Sequence, residues 1–326
     1  MIKTPLSQIA KELKKAKSAI ITAHIDPDGD AIGSSLAMAA ILSKLDIATF
    51  VYSQDGTPKI YNFLPGIERI KNKVPPNLHF DLAITLDSSD ITRVGKKIDL
   101  RSLANKIINI DHHPDNDMYG AINFVSASSS TAELVFELAK YLHIKLDRNT
   151  AECLYVAMIT DTGNFRYENT KHSTFLMAAD LVETGLNIHD ICTHIYDAKS
   201  IAAVKINSLA LSNLEFSKNF KVAWTMVTQE MMKRVNAQND DLIGIVDQIR
   251  SIDGVEVAIF FREDNGKIKV NLRSKQNVNV SEIAGRFGGG GHFKAAGIAL
   301  DDSIEKARDK VVSETLKFVE AARFLV

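Results

Sequence analysis

The sequence predicts an α/β protein: a doubly wound, mostly parallel sheet, then a second, smaller α+β domain across a cleft. Three observations predict it. Short apolar runs of strand length alternate with longer helical patterns through the first half of the chain. Acidic and histidine residues stand where the apolar runs end, the place where open parallel sheets bind ligands. Near residue 195 the pattern changes, and strands begin to follow one another ahead of a glycine run.

Each element has its own signal. Thr4-Pro5 opens a helix, since Thr caps and Pro suits the first helical position, and Leu6, Ile9, Leu13 and Ala16 form its apolar face. Ala19 to Ala23 is a short buried strand, Ala31 to Leu45 a helix rich in Ala, Leu and Ile, and Ile47 to Tyr52 a strand. Asp81 to Leu86 and Lys106 to Ile110 are strands ending at Asp87 and Asp111. Ser130-Thr-Ala-Glu133 reads as a capping box for a helix to about Leu142, and a second helix runs from Arg148 to Ile159, ending at Thr160-Asp161. A connecting helix spans Lys199 to Phe216. Then come a strand (Val222 to Val227), a helix (Asp241 to Ile252) and two strands (Val255 to Phe261, Lys267 to Leu272) joined by the turn Asp264-Asn265-Gly266. A glycine-rich loop and a final helix from about Ser303 to Phe324 complete the chain. The expected domains are 1–195 and 217–326, with residues 196–216 as the connection.

Bulk properties exclude several classes. The chain has 326 residues, long for one core and suited to two domains. Its formal net charge of −1 lacks the basic excess of a duplex-coating protein, yet allows a local pocket for a small phosphorylated ligand. Cys153 and Cys192 lie in mostly apolar surroundings with no CxxC partner, so they read as two thiols in a reducing compartment. Neither a signal peptide nor an apolar run of the ~18 residues a membrane span needs is visible, so the expected location is cytoplasmic.

The chemistry is concentrated in short motifs. HIDPDGD, residues 24–30, holds three carboxylates and a histidine that would repel or titrate without a counter-charge. A calcium loop from Asp26 needs Gly at 31 and Glu at 37, where Ala31 and Ala37 stand. Asp87 follows a strand in TLDSSD, Asp111, His112 and His113 follow another in NIDHHPD, and Asp161 follows a buried helix in ITDTGNF. Mixed carboxylate and imidazole ligands suit Mn²⁺, Fe²⁺ or Zn²⁺. Six or seven such groups exceed the needs of one ion and fit a two-metal centre with ions about 3.5–4 Å apart. In the second half, Gly288 to Gly291 precede His292, and consecutive glycines can point backbone N–H groups at one anion. Arg262 and Arg273, at the ends of the hairpin strands, could add bidentate phosphate contacts, and Phe165, Tyr167 and Phe293 could stack on a base.

HIDPDGDAIGS, TLDSSD, NIDHH and ITDTG resemble the four motifs of the DHH phosphoesterase superfamily, and RFGGGGHFKAAG resembles the glycine-rich motif of its DHH-associated C-terminal domain. The resemblance spans almost the whole chain in the family's motif order. It is closest to the stand-alone two-domain bacterial members, which degrade very short RNAs and dephosphorylate adenosine 3′,5′-bisphosphate (pAp). The resemblance implies a catalytic domain over 1–195, a substrate-binding domain over 217–326, and two divalent ions, Mn²⁺ first among them. It implies His24, Asp28, Asp30, Asp87, His112 and Asp161 as metal ligands, with Asp87 bridging and Asp26 outside the set. Asp111 would support the site, and His113 would face the substrate phosphate as donor or general acid. Arg262, Arg273, Ser274, Gly289, Gly290, Gly291 and His292 would hold the far end of a short single-stranded RNA or nucleotide. No duplex and no membrane partner is expected, and a homodimer is left open. The alternatives are a cyclic-dinucleotide phosphodiesterase of the same superfamily (c-di-AMP or pApA), a DHH-type pyrophosphatase, which the glycine tail disfavours, and a nucleotide-binding regulator without turnover.

Overall fold

The computed structural model describes residues 4–264 and 266–322, apart from the side chains of His292 and Ala322. The chain divides into two compact units, Met1–Ala198 and Lys199–Val326.

Unit 1 is built on six parallel strands: β1 (Ser18–Thr22), β2 (Ala48–Tyr52), β3 (Ile70–Lys71), β4 (Phe80–Leu86), β5 (Ala104–Asp111) and β6 (Ile122–Val125), in the order β3-β2-β1-β4-β5-β6. The chain winds outward from β1 to β3, then crosses to the other side of β1 with β4. The carboxyl ends of β1 and β4 therefore flank a topological switch point. Among the described residues, seven α-helices accompany the sheet: α1 (Pro5–Leu13), α2 (Gly29–Ser43), α3 (Leu100–Leu103), α4 (Thr131–Tyr141), α5 (Arg148–Asp161), α6 (His172–Val182) and α7 (Ile188–Cys192). Strand residues alternate between two cores. Ala19, Ile21, Ile84 and Ile108 pack with α2, α4 and α5 on one face. Ile20, Ala83 and Ile107 pack on the other, beneath Val94 and Leu100. That second face is covered by short helical turns rather than long helices.

Local chemistry shifts some predicted boundaries. Thr4 caps α1 through its hydroxyl, which accepts from the Ser7 N–H at 3.3 Å, a contact worth about 1 kcal/mol. Helix α2 starts two residues earlier than expected, because the Asp28 carboxylate accepts the N–H groups of Asp30 and Ala31 and so caps it. The capping box at Ser130–Glu133 does not form: Glu133 accepts from the backbone N–H and hydroxyl of Ser129 instead. Helix α4 is capped from 101 residues away by Asp30, whose carboxylate accepts the N–H groups of Thr131 (2.6 Å) and Ala132 (3.0 Å).

Unit 2 holds a second six-stranded sheet, β7 (Glu215–Phe216), β8 (Val222–Val227), β9 (Val257–Asp264), β10 (Lys267–Ser274), β11 (Gly290–His292) and β12 (Ala295–Leu300), ordered β11-β12-β10-β9-β8-β7. Only β8 and β9 run parallel. One face packs on α11 (Val280–Gly285) and α12 (Ile304–Ala322), the other on α8 (Ile201–Ser212), α9 (Gln229–Val235) and α10 (Ile245–Ser251). The expected connecting segment is thus partly core: α8 buries Ile206 and Ala210 in unit 2, and residues 215–216 form a strand. The helix expected over 241–252 is broken by Gly244, whose φ of 86° ends a 3₁₀ turn before α10 begins. The hairpin turn falls between β9 and β10, with Asn265 outside the described residues, as are the last two residues of the helix expected to reach Phe324. The glycine loop is partly strand: Gly290 pairs with Gly297 and Gly291 with Ala296.

Candidate metal centre

Four short segments converge at the carboxyl edge of the unit 1 sheet. His24 follows β1, Asp87 follows β4, Asp111 ends β5 with His112 and His113 behind it, and Asp161 ends α5. Asp28 and Asp30 arrive on the first turn of α2. The six residues expected as ligands meet here. His24, Asp28 and Asp87 offer ligand atoms within 4.8 Å of one another, and so do Asp30, His112 and Asp161. A third overlapping group joins Asp87, His112 and His113.

Asp87 stands between the two sets. Its Oδ2 lies 3.3 Å from His24 Nε2, and its Oδ1 lies 3.5 Å from His112 Nε2. Each oxygen of one carboxylate therefore faces a different imidazole. Asp87 also has a φ of 52°, in the left-handed region that a non-glycine residue enters at some cost, as is common where function dictates side-chain aim. The Thr131 hydroxyl donates to Asp87 Oδ1 at 3.4 Å, while the N–H of Thr131 holds Asp30. Thr131 and Asn169, which donates to Asp161 Oδ2 at 3.3 Å, were not expected from the sequence, because neither stands beside a motif aspartate or histidine.

The donor set fits divalent cations on an observation internal to the structure. His24 Nδ1 lies 2.7 Å from the Ile25 carbonyl, and His112 Nδ1 lies 3.4 Å from the Ser128 carbonyl. A carbonyl can only accept, so both rings carry Nδ1–H and present Nε2 toward the carboxylates. Anchoring one ring nitrogen to a carbonyl is the usual support of a metal-binding imidazole. With protein charges alone the cluster is under electrostatic stress. Burial pulls the two imidazoles down, but the surrounding aspartates outweigh it and hold both well above the usual range. Burial and the other carboxylates push Asp30 well up, and burial with Asp28 and Asp87 pushes Asp161 up to about 7 against the pull of His112. Burial works against Asp87 as well, yet the histidines keep it well below the ordinary carboxylate range.

These shifts predict a pH dependence. A cation needs His24 and His112 neutral and Asp30 and Asp161 ionised, so binding near pH 6 must expel protons. Each proton released tightens apparent affinity about tenfold per pH unit. Mn²⁺ affinity measured by calorimetry is expected to rise by at least about tenfold per unit between about pH 6 and 7, with net proton release seen on changing the buffer. A flat profile would contradict the assigned protonation states.

The remaining expected residues are placed as follows. Asp111 is fully buried and accepts from His113 Nδ1 at 2.6 Å and from the His112 N–H at 2.9 Å. Asp26 is exposed and is not among the clustered ligand groups; its backbone N–H donates to Asp55 Oδ2 at 3.0 Å. Phe165 stacks on Phe175 at 5.2 Å between centroids, and Phe293 is about half exposed. In unit 2, Arg262 and Arg273 share one sheet face: they alternate with buried Phe261 and Leu272, and lie opposite Lys269 and Ala295 in the neighbouring strands. Ser274 does not join them; it is fully buried on the opposite face, below the Phe293 carbonyl. Gly289 and Gly291 have a packing reason, since a Cβ on either would strike the backbone of β12. Gly290 has none: a Cβ there would meet nothing within 4 Å. The side chain of His292 lies outside the described residues.

With an Asp-His-His motif at one strand end and paired carboxylate and imidazole clusters around it, the site is of the class that could hold divalent cations. Residues 18–158 match the DHH family, N-terminal domain, and residues 221–321 match the DHHA1 domain. The chain belongs to the DHH family of phosphoesterases, hydrolases of phosphoester bonds. It is 30% identical to the bifunctional oligoribonuclease and PAP phosphatase NrnA of Thermus thermophilus, over 97% of this chain and 95% of that protein. Among solved structures, an exopolyphosphatase-related protein from Bacteroides fragilis is similar at 27% identity with a TM-score of 0.90, covering 98% of this chain and 97% of that one. The structure of RecJ in complex with Mn²⁺ from Thermus thermophilus shares the fold at 13% identity with a TM-score of 0.52, covering 96% of this chain and 54% of that one.

Proposed function

We propose that this protein hydrolyses short oligoribonucleotides to mononucleotides and removes a phosphate from pAp, using two divalent ions, Mn²⁺ first among them. The observation that carries the reading is Asp87, whose two oxygens each face a different imidazole, as a carboxylate shared by two ions would. The similarity to an NrnA protein over nearly the full length of both chains supports the substrate class. The ions would be held by His24, Asp28 and Asp87 on one side and by Asp87, Asp30, His112 and Asp161 on the other. Bound there, they would supply Lewis acidity and an activated water for attack on phosphorus.

The protein's own groups divide the remaining work. His113, anchored through Nδ1 to the buried Asp111, would donate from Nε2 to a phosphoryl oxygen. Arg262 and Arg273 would hold a phosphate of the substrate. The net charge of −1 lacks the basic excess of a protein that coats long strands, which agrees with short substrates. The absence, among the described residues, of a helix long and apolar enough to cross a membrane is compatible with a cytoplasmic location. The test is a side-by-side rate comparison with Mn²⁺ on pAp, a five-nucleotide RNA and a long single strand. The first two are expected to be cleaved at least about tenfold faster than the third. Equal rates would overturn the short-substrate reading, and no turnover of any of them would overturn the whole of it.

A further inference from the structure

Between the end of β5 and the start of β6 runs a polar network that the proposed chemistry does not use directly. Its hub is Asn116, a half-buried residue five positions after Asp111. The Asn116 Nδ2 donates to Asp111 Oδ2 at 2.6 Å and to the Ser88 carbonyl at 3.2 Å. Its Oδ1 accepts from Asn109 Nδ2 at 2.8 Å and from the Met118 N–H at 2.7 Å. The orientation of this amide is fixed by its partners. A carboxylate and a carbonyl can only accept, and a backbone N–H can only donate, so one flip state satisfies all of them.

Asn109 extends the network inward. It is fully buried in the middle of β5, on the same side of the strand as Asp111, and also donates to Asn123 Oδ1 at 3.2 Å. Of this buried side chain it is the Nδ2 group that finds partners, and one of them is Asn116, which it braces. Asn116 in turn ties the segment after β4, at Ser88 beside Asp87, to the carboxylate that ends β5. The other oxygen of Asp111 holds His113 Nδ1 at 2.6 Å. With one oxygen on Asn116 and the other on the imidazole, the Asp111 carboxylate plane is set from both sides.

We propose that Asn116 is a positioning residue for His113, acting through Asp111. It rests on the reading of His113 as the group that donates to the substrate phosphate. Asn116 touches neither substrate nor ligand imidazole. It fixes the rotation of Asp111, and Asp111 fixes the direction of the His113 ring. Without the Nδ2 donor, Asp111 is held at Oδ1 alone, by the His112 N–H and His113 Nδ1, so its carboxylate can turn about that oxygen and the ring it anchors loses its aim. Such supporting contacts are worth about 10–100-fold in activity.

The test is a double-mutant cycle with Asn116→Ala, His113→Ala and the double variant, assayed on pAp with Mn²⁺. Asn116→Ala is expected to lower kcat about 10–100-fold, with KM and the number of Mn²⁺ ions bound unchanged. In the His113→Ala background the same change is expected to lower kcat less than about twofold, because the residue it aims is gone. If the two effects multiply, Asn116 acts independently of His113 and the proposal fails, while the reading of His113 stands. If His113→Ala leaves kcat intact, that reading fails and the proposal with it. Should Asn116→Ala not fold, Asn116→Ser, which is small and polar but cannot reach Asp111 in the same way, runs through the same cycle with the same outcomes.

Discussion

Asp87→Asn is expected to lower kcat on any phosphoester substrate by at least about 10³-fold while leaving the fold intact. Asparagine preserves the size of the side chain and, like aspartate, tolerates the left-handed backbone at this position, where φ is 52°. The substitution therefore isolates the charge. Removing one preorganised electrostatic group from a reacting centre costs roughly 10²–10³-fold. Asp87 faces both His24 and His112, so its loss affects both ligand sets at once and belongs at or beyond the upper end. Calorimetry is expected to show fewer Mn²⁺ ions bound per chain, and circular dichroism an unchanged spectrum. Wild-type turnover in this variant would remove Asp87 from the mechanism. Wild-type Mn²⁺ binding with lost turnover would keep its chemical role and overturn its role as a shared ligand.

Gly33→Val is expected to cost stability first and activity as a consequence. Helices α2 and α5 approach closely along Gly29, Gly33 and Ala37, which share one face of α2. A Cβ at Gly33 would strike the carbonyl oxygen of Cys153 and lie 2.9 Å from the Ala157 Cβ, and one at Gly29 would strike the Thr160 side chain. A backbone carbonyl inside a helix cannot turn aside as a flexible side chain can. Overpacking of this kind costs about 1–3 kcal/mol or more, a large share of a typical 5–15 kcal/mol. For a unit of this size that is a drop in Tm of roughly 2–12 °C. The same contact sets the metal centre, because α2 starts with Asp28 and Asp30 and α5 ends with Asp161. Pushing the helices apart is expected to weaken Mn²⁺ binding as well. Gly285→Ala is the control, since a Cβ there meets nothing within 4 Å, and its Tm is expected to stay level or rise slightly. An unchanged Tm in Gly33→Val would show that the helices have room to separate.

The sequence showed the candidate ligands because they occupy strand ends, and a strand end is legible. An apolar run stops, and a carboxylate or imidazole follows at once. His24, Asp87 and His112 are of this kind, whereas Asp28 and Asp30 stand at the start of α2 and Asp161 at the end of α5. The close approach of α2 and α5 was not read from the sequence: Gly29 and Gly33 stand there in view, but that Thr160 and Cys153 lie against them is not visible. The capping of α4 was misread for a related reason. Ser130 and Glu133 have the spacing of a local capping box, and a sequence pattern rewards local partners. In the folded chain Asp30 caps the helix through the amides of Thr131 and Ala132, where a helix N-terminus favours a carboxylate, and Glu133 accepts from Ser129 instead. Ser274 follows Arg273 in the sequence but is buried on the other face of the sheet, because neighbours in a strand point to opposite faces, and which face is covered depends on helices far away in the chain.

What the sequence by itself determined is the class of fold, the order of the motifs and the inventory of groups able to bind cations. These depend on residue type and on periods of two and 3.6 residues, which are local properties. Only the tertiary structure decided how those groups are partnered: that Asp87 is shared between two imidazoles, that Asp30 also caps α4, that His24 and His112 present Nε2, and that Asn116 holds Asp111. The reason is physical. A buried polar atom must find a partner, and which atom is within 3 Å of it is settled by the packing of segments up to a hundred residues apart.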